Sequence, residues 1–387
     1  MNFDLSPEQQ ELQRAARELA EREFAPLAEQ WDREALLLPD DSRRRLGDLG
    51  YLGLTLPADY GGSHVPLLDA VLVLEEFAKR SPGAAFAIFE ACVGASRVIE
   101  LLGSEEQRQR WLGPIVKGEA GMAVAISEPD AGSAATDMRT RARADGDEIV
   151  LNGTKRWCSG ASHAELYLVY CRLSDAPGSD AIGAVVVEKG APGLSFGPRQ
   201  IHMGFRSVAH ADIFLDDCRV PRENVVVPAG GFRQLFSAFS IERLGNATMS
   251  LAIAQAALDR TAAYVVEREQ FGRKIADFQA VQLSLANMVM RTVAARLLIW
   301  RAAANAGTGY PVTLETSVAK CYANEAARDV ATLAMDLHGG YGYSPEYPLE
   351  RLLRDSYGWI VAGGTPTMQR VRIVSEFLGR RVTQRAS

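Results

Sequence analysis

The chain is predicted to be an α+β protein in which a helical segment, a strand-rich segment and a second helical segment follow one another. Three observations carry this. From Ser6 to about Gly118 apolar residues recur at helical spacing, from about Gly121 to Val227 they alternate between turn residues, and after Gly231 the helical period returns. At 387 residues the chain is too long for one small core, and the expected domains are 1–120, 121–230 and 231–387.

The first helix is announced by "SPEQQELQRAARELAEREF": a Ser cap, a Pro at the first helical position and a Gln three residues after the Ser. "LLDAVLVLEEFAKR" and "AAFAIFEACVGASRVIELL" are apolar enough to be buried helices. In the middle segment "DEIVLNGTKRWCSG" alternates around Asn152-Gly153, a dipeptide that predicts a two-residue hairpin. "ELYLVYCRL", "AIGAVVVEKG" and "ADIFLDDCRVP" are further strands. Three helical patterns follow, over residues 232–269, 278–306 and 314–340.

With 47% hydrophobic and 23% charged residues the composition is that of a soluble globular protein. A net charge of −6 without a block of like charges argues against a surface for nucleic-acid backbone. The five cysteines (Cys92, Cys158, Cys171, Cys218, Cys321) are dispersed and never form C-x-x-C, so a reduced, cytoplasmic compartment and no structural metal are expected. The start carries acidic residues and no apolar run of signal-peptide type. No stretch approaches ~18 uninterrupted apolar residues, and no membrane span is expected.

Five constellations could carry chemistry. In Ile126-Ser-Glu-Pro-Asp-Ala-Gly-Ser133 a strand runs into a turn with two hydroxyls and a glycine, able to bond the edge of a flat ring; a plain loop has the same appearance. Trp157-Cys158-Ser159 offers an indole wall beside a hydroxyl, or a core Trp on a strand. Arg268 and Gln279 flank a Phe-Gly break, where an arginine at a helix end suits a pyrophosphate or a surface ion pair with Glu267. Gly339 and Gly340 close a helix without a dinucleotide fingerprint. Finally, Leu235, Phe239, Glu242, Asn246, Met249 and Ile253 share one helical stripe, so Glu242 is a carboxylate in mainly apolar surroundings, which would make it a better base near neutral pH.

Taken in order, these constellations and "MGFRSVAHADIFLDDCRVPRENVV" resemble the acyl-CoA dehydrogenase family, from the first helix to "TPTMQRVRIVSEFLGR". The resemblance implies an N-terminal helical domain, a central β-barrel-like or sandwich domain and a C-terminal four-helix bundle, with FAD between the last two. It implies that Ile126, Ser127, Gly132 and Ser133 meet the isoalloxazine or the acyl-CoA, and that Trp157, Cys158 and Ser159 follow the ring with the Ser hydroxyl near flavin N5. Arg268, Gln279, Gly339 and Gly340 fall where a neighbouring subunit of a tetramer, or a dimer, holds the pyrophosphate and adenosine. Asp336 replaces a usual Gln there, and Ala134 replaces a usual Asp.

The family's reaction removes the α-proton of an acyl-CoA while the β-hydrogen leaves as hydride to the flavin, and electrons pass on to an electron-transfer flavoprotein. Most members place the base as Glu in a Glu-Gly-Thr loop; here the loop reads Gly363-Gly364-Thr365. Branches resembling isovaleryl-CoA and long-chain acyl-CoA dehydrogenases instead carry a Glu before an Arg on the first bundle helix, the position of Glu242-Arg243. The amide of Gly363 remains a donor for the thioester oxygen, with Arg243 and Gly364 beside the substrate. Thr365 and Thr367 serve the ribityl and phosphate region. Glu90 is the reserve acid. Members acting on diacids place an arginine near Ala85 and Phe86; none occurs between Ser81 and Ser96, which favours an apolar acyl group. The rival is a relative that keeps the fold and FAD for elimination, desulfination or oxygenation. A nucleic-acid-binding relative would need an added basic surface.

Overall fold

The computed structural model describes residues 4–380 and Val382, so the outermost residues of the first and last expected domains lie outside it. Helix α1 (Pro7–Leu19) begins as its sequence dictates: Ser6 Oγ accepts from the Gln9 amide, and the Gln9 side chain accepts from the Ser6 amide. A π-turn at Ala20–Phe24 leads into α2 (Ala25–Arg33), followed by α3 (Asp40–Asp48), α4 (Leu67–Arg80), α5 (Pro82–Cys92), α6 (Ser96–Leu102) and α7 (Glu105–Val116). Residues from Ala70 to Ala78 of α4 are all buried, so this helix is the centre of the layer, contacting α1, α5 and the first helix of the C-terminal bundle.

Eight strands form one sheet: β1 (Met122–Ala125), β2 (Arg141–Asp145), β3 (Glu148–Ser159), β4 (Leu166–Arg172), β5 (Ile182–Glu188), β6 (Leu194–Phe196), β7 (His210–Pro221) and β8 (Val225–Val227). Their order is β6-β7-β3-β2-β4-β5-β8, with β1 pairing parallel to β4. The two-residue period is visible in the packing. Leu168, Tyr170, Ala184 and Val186 join the helical core, whereas Tyr167, Val169, Cys171, Val185 and Val187 fill the sheet's own interior.

The hairpin expected at Asn152-Gly153 is not there. β3 runs unbroken through this dipeptide, and the turn joining β2 to β3 is Gly146-Asp147 instead, with Gly146 at φ 62°. Asn152 pairs sideways: its amide donates to Asp217 Oδ1 and its carbonyl accepts from the Asp217 amide. A Cβ on Gly153 would come within 2.7 Å of Thr140 Cα, so this glycine serves a close approach rather than a turn.

The C-terminal helical domain comprises α8 (Phe232–Glu267), a short ribbon of β9 (Glu269–Gln270) and β10 (Arg273–Lys274), α9 (Gln279–Ala306), α10 (Thr313–His338), α11 (Gly340–Tyr343), α12 (Leu349–Val361) and α13 (Pro366–Phe377). α8, α9 and α10 form the bundle, and α12 and α13 pack against α10. Gly245 lets α8 approach α5: a Cβ there would lie 2.4 Å from Val93 Cγ2 and 2.9 Å from Phe89. This contact brings Glu242 and Glu90 to one cavity. In contrast to the expectation of no span, α9 is long and apolar enough to cross a membrane by length and composition. It packs against α8 and α10, with Arg291 paired to Asp329 and Arg296 to Glu75, and leaves Leu283, Met290, Val293 and Leu297 exposed.

Candidate active site

The three domains enclose a cavity of about 860 Å³. One wall is the end of β1 and β3. Past β1, Glu128 and Ala131 exchange backbone hydrogen bonds and close the Ser127–Ser133 turn. This turn is fastened from below: Lys155 Nζ, fully buried, donates to Glu128 Oε1 (2.8 Å) and to the Ile126 carbonyl (2.9 Å), while the amides of Arg139 and Thr140 donate to the Glu128 carboxylate. Burial pushes the Glu128 carboxyl up, but the Lys155 ammonium and these donors hold it below its usual value. The hydroxyls of Ser127 and Ser133 bond to none of the described residues, and nothing lies within 4 Å of a Cβ built on Gly132. Trp157 is not a core residue: it is 55% exposed, holds φ 61° at a register break between β3 and β7, and lines the cavity with Cys158 and Ser159. Such a conformation in a bulky residue is a backbone outlier.

The opposite wall is α8. Glu242 lines the cavity half-buried, and the loss of water around it pushes its carboxyl up to about 8 against the opposing charges of Arg243 and Lys320. It accepts no hydrogen bond from the described residues. Arg243 forms no ion pair among them; its guanidinium donates to the Phe236 carbonyl and Ser240 Oγ and lies 4.9 Å over the Phe239 ring. Burial and the nearby Arg372 push it down to about 9. Glu90, facing the same cavity from α5, is also raised to about 8, mainly by burial. Its carboxylate accepts no hydrogen bond from the described residues.

The third wall is Ala362-Gly363-Gly364. Lys320, fully buried on α10, donates to the carbonyls of Gly364 (2.9 Å) and Trp359 (3.4 Å) and to Asn324 Oδ1 (2.8 Å). Asn246 donates to the carbonyls of Trp359 and Ala362, and Gln369 to those of Gly363 and Gly364. With these carbonyls held inward, the amides of Gly363 and Gly364 bond to no described residue, and both glycines line the cavity. Gly363 has φ 64° and Gly364 φ 90°, a backbone that favours glycine. Burial, then Arg243, pushes the Lys320 ammonium down to about 7.

Thr365 reaches the cavity and caps α13, its hydroxyl accepting from the Met368 amide. Thr367 is exposed and outside the cavity lining, because it sits on the solvent side of α13. Arg268, Asp336, Gly339 and Gly340 line a separate open depression of about 510 Å³, where Arg268 lies over the Tyr341 ring and makes no ion pair with Glu267. Gln279 is exposed and lines neither cavity. No local pattern in the sequence marks Lys155, Glu128 or His210 as site residues. For Lys320 and Asn324 a signal existed: with Ser317 they interrupt an alanine-rich stripe at helical spacing.

Fold and site together define an enzyme: a wall of free hydroxyls and backbone faces a desolvated carboxyl across a cavity that includes two unbonded amides. The models of the N-terminal, middle and C-terminal domains of acyl-CoA dehydrogenase match residues 6–119, 123–218 and 229–378. The chain is similar to 3-sulfinopropanoyl-CoA desulfinase of Paraburkholderia xenovorans (38% identity, covering 100% of both chains). It is likewise similar to acryloyl-CoA reductase (NADH) of Anaerotignum propionicum (37% identity, 98% of this chain and 97% of the relative). The solved glutaryl-coenzyme A dehydrogenase–glutaryl-CoA complex superimposes with a TM-score of 0.94 at 34% identity, covering 100% of this chain and 99% of the other. The chain belongs to the acyl-CoA dehydrogenase family, an oxidoreductase fold whose members are flavoproteins.

Proposed function

We propose that the protein is an FAD-dependent dehydrogenase that converts an acyl-CoA to the 2-enoyl-CoA, with Glu242 as the base. The carrying observation is the raised carboxyl of Glu242, free of hydrogen bonds from the described residues, in one cavity with the unbonded amides of Gly363 and Gly364. The residues present fit FAD: the free hydroxyls of Ser127 and Ser133, the open backbone at Gly132 and the exposed Trp157 indole suit a flat, heteroatom-edged ring. FAD, when bound, supplies the two-electron acceptor for the β-hydrogen. Glu242 takes the α-proton as the C–H pair moves into the new double bond, and the amides of Gly363 and Gly364 donate to the thioester oxygen as negative charge grows on it. Arg243 and Arg372 add positive charge to the same wall. The aromatic run Phe86, Phe89, Trp359 and Phe205 supports a compact apolar acyl group.

Electrons would pass to an electron-transfer flavoprotein. A homotetramer or homodimer is supported by the apolar stripe of α9 and by the separate depression around Arg268 and Gly339, which fits the adenosine end of a neighbouring copy's FAD. Five buried, unbridged cysteines support a reducing cytoplasm.

A second reading, a redox-neutral elimination such as desulfination on the same fold, is favoured by Gly363 in place of a loop glutamate and by the desulfinase relative. Anaerobic mixing of the FAD-loaded protein with a panel of acyl-CoA thioesters decides between them. The dehydrogenase reading expects bleaching of the flavin by at least one saturated acyl-CoA; a flavin that stays oxidised with every one sinks it.

A further inference from the structure

Ser159 ends β3 at the cavity, and its hydroxyl is engaged from behind. Its Oγ lies 3.0 Å from Nε2 of His210, whose other ring nitrogen, Nδ1, lies 3.1 Å from the Val208 carbonyl. A carbonyl only accepts, so Nδ1 carries the ring proton and Nε2 presents a lone pair. Burial, the His202 ring at 4.2 Å and Arg199 push His210 down to about 4, which keeps the imidazole neutral. The hydroxyl proton of Ser159 therefore points at His210, and what Ser159 turns towards the cavity is oxygen lone pairs.

We propose that His210 is a positioning residue that fixes Ser159 as a hydrogen-bond acceptor for a ring N–H of the bound cofactor. This rests on the reading that FAD occupies the cavity with its central ring edge at Ser159. An unconstrained hydroxyl rotates to suit either a donor or an acceptor. A hydroxyl whose proton is committed elsewhere cannot. The oxidised flavin ring has a lone pair at its central nitrogen, which such a hydroxyl repels; the two-electron-reduced ring has an N–H there, which it accepts. The Ser159–His210 pair thus favours the reduced state and raises the midpoint potential, the direction that draws electrons from a saturated acyl-CoA.

The test is the midpoint potential of bound FAD in the wild type, His210→Phe and Ser159→Ala. Phe keeps a ring against His202 and removes the acceptor for the hydroxyl. His210→Phe is expected to lower the reduced-to-oxidised ratio about tenfold at a fixed potential, about 30 mV for a two-electron couple, with the double variant shifting no further than Ser159→Ala alone. An unchanged potential in FAD-loaded His210→Phe, beside a shifted Ser159→Ala, overturns the role of His210. FAD bound with neither variant shifted overturns the placement of Ser159 at the ring edge. Should wild type take up no FAD, the functional reading fails and the proposal with it. Should His210→Phe not fold, wild type loaded with ¹⁵N-labelled FAD gives the same decision: the oxidised central nitrogen is expected to receive no hydrogen bond, and a hydrogen bond donated to it overturns the proposal.

Discussion

Lys155 and Lys320 are both fully buried beside the same cavity, yet their relations to the nearest carboxylate are opposite. Lys155 binds Glu128 directly at 2.8 Å, and that carboxyl is held below its usual value. Lys320 gives its donors to two backbone carbonyls and Asn324, none to Glu242, and that carboxyl rises to about 8. A compensated buried carboxylate is a fastener for the Ser127–Ser133 turn. An uncompensated one is free to exchange a proton near neutral pH.

The contrast breaks or sharpens at defined points. Glu242→Gln should lower the rate of flavin reduction by acyl-CoA about 10²–10⁴-fold while acyl-CoA affinity changes little; stopped-flow reduction with a parallel binding titration checks both halves. Lys155→Met should destabilise the protein by about 3–5 kcal/mol, because Glu128 is left buried without its cation, read from denaturant unfolding. For Lys320→Met the expected loss is about 1–3 kcal/mol, since only neutral carbonyls and an amide lose a donor. An equal loss for the two lysines would dissolve the distinction.

The pH dependence separates them further. Only ionised Glu242 can take a proton, so the reductive rate with free enzyme should climb with pH and level off above about 8. Its stability effect has the opposite sense. A carboxyl raised in the folded state binds a proton that the unfolded chain releases above 4.5, so its contribution is full below 4.5 and lost as pH rises through about 8. Glu242→Gln should flatten that part of the stability–pH curve of the cofactor-free protein. The smallest effect is expected for Gly363→Ala, about 1 kcal/mol from φ 64°, with a weakened affinity for thioesters relative to thioether analogues that lack the carbonyl.

Local signals were legible in the sequence. The Ser6 capping box, the Gly339 stop of α10 and the stripe carrying Glu242 depend on residues within a few positions of one another, and each stands in the structure. Asn152-Gly153 misled because the same dipeptide chemistry serves a side-chain pairing with Asp217, 65 residues away. The neighbouring Gly146-Asp147 carried the true turn. Trp157 was ambiguous since neither alternation nor composition reports a φ angle. Lys155–Glu128, Lys320–Gly364 and Ser159–His210 join residues 27, 44 and 51 positions apart, and only tertiary packing shows that these polar groups meet.

Holding the carbonyls of Ala362, Gly363 and Gly364 inward leaves a pair of amide hydrogens with no partner among the described residues, and this gives the loop a clock. In the empty protein the amides of Gly363 and Gly364 should take up deuterium rapidly, although α8 and α10 beneath them exchange slowly. A thioester whose oxygen accepts from them should slow that uptake, whereas a thioether analogue should leave it fast. Isotope uptake at two glycines would then time the arrival of the carbonyl separately from any chemistry performed on it.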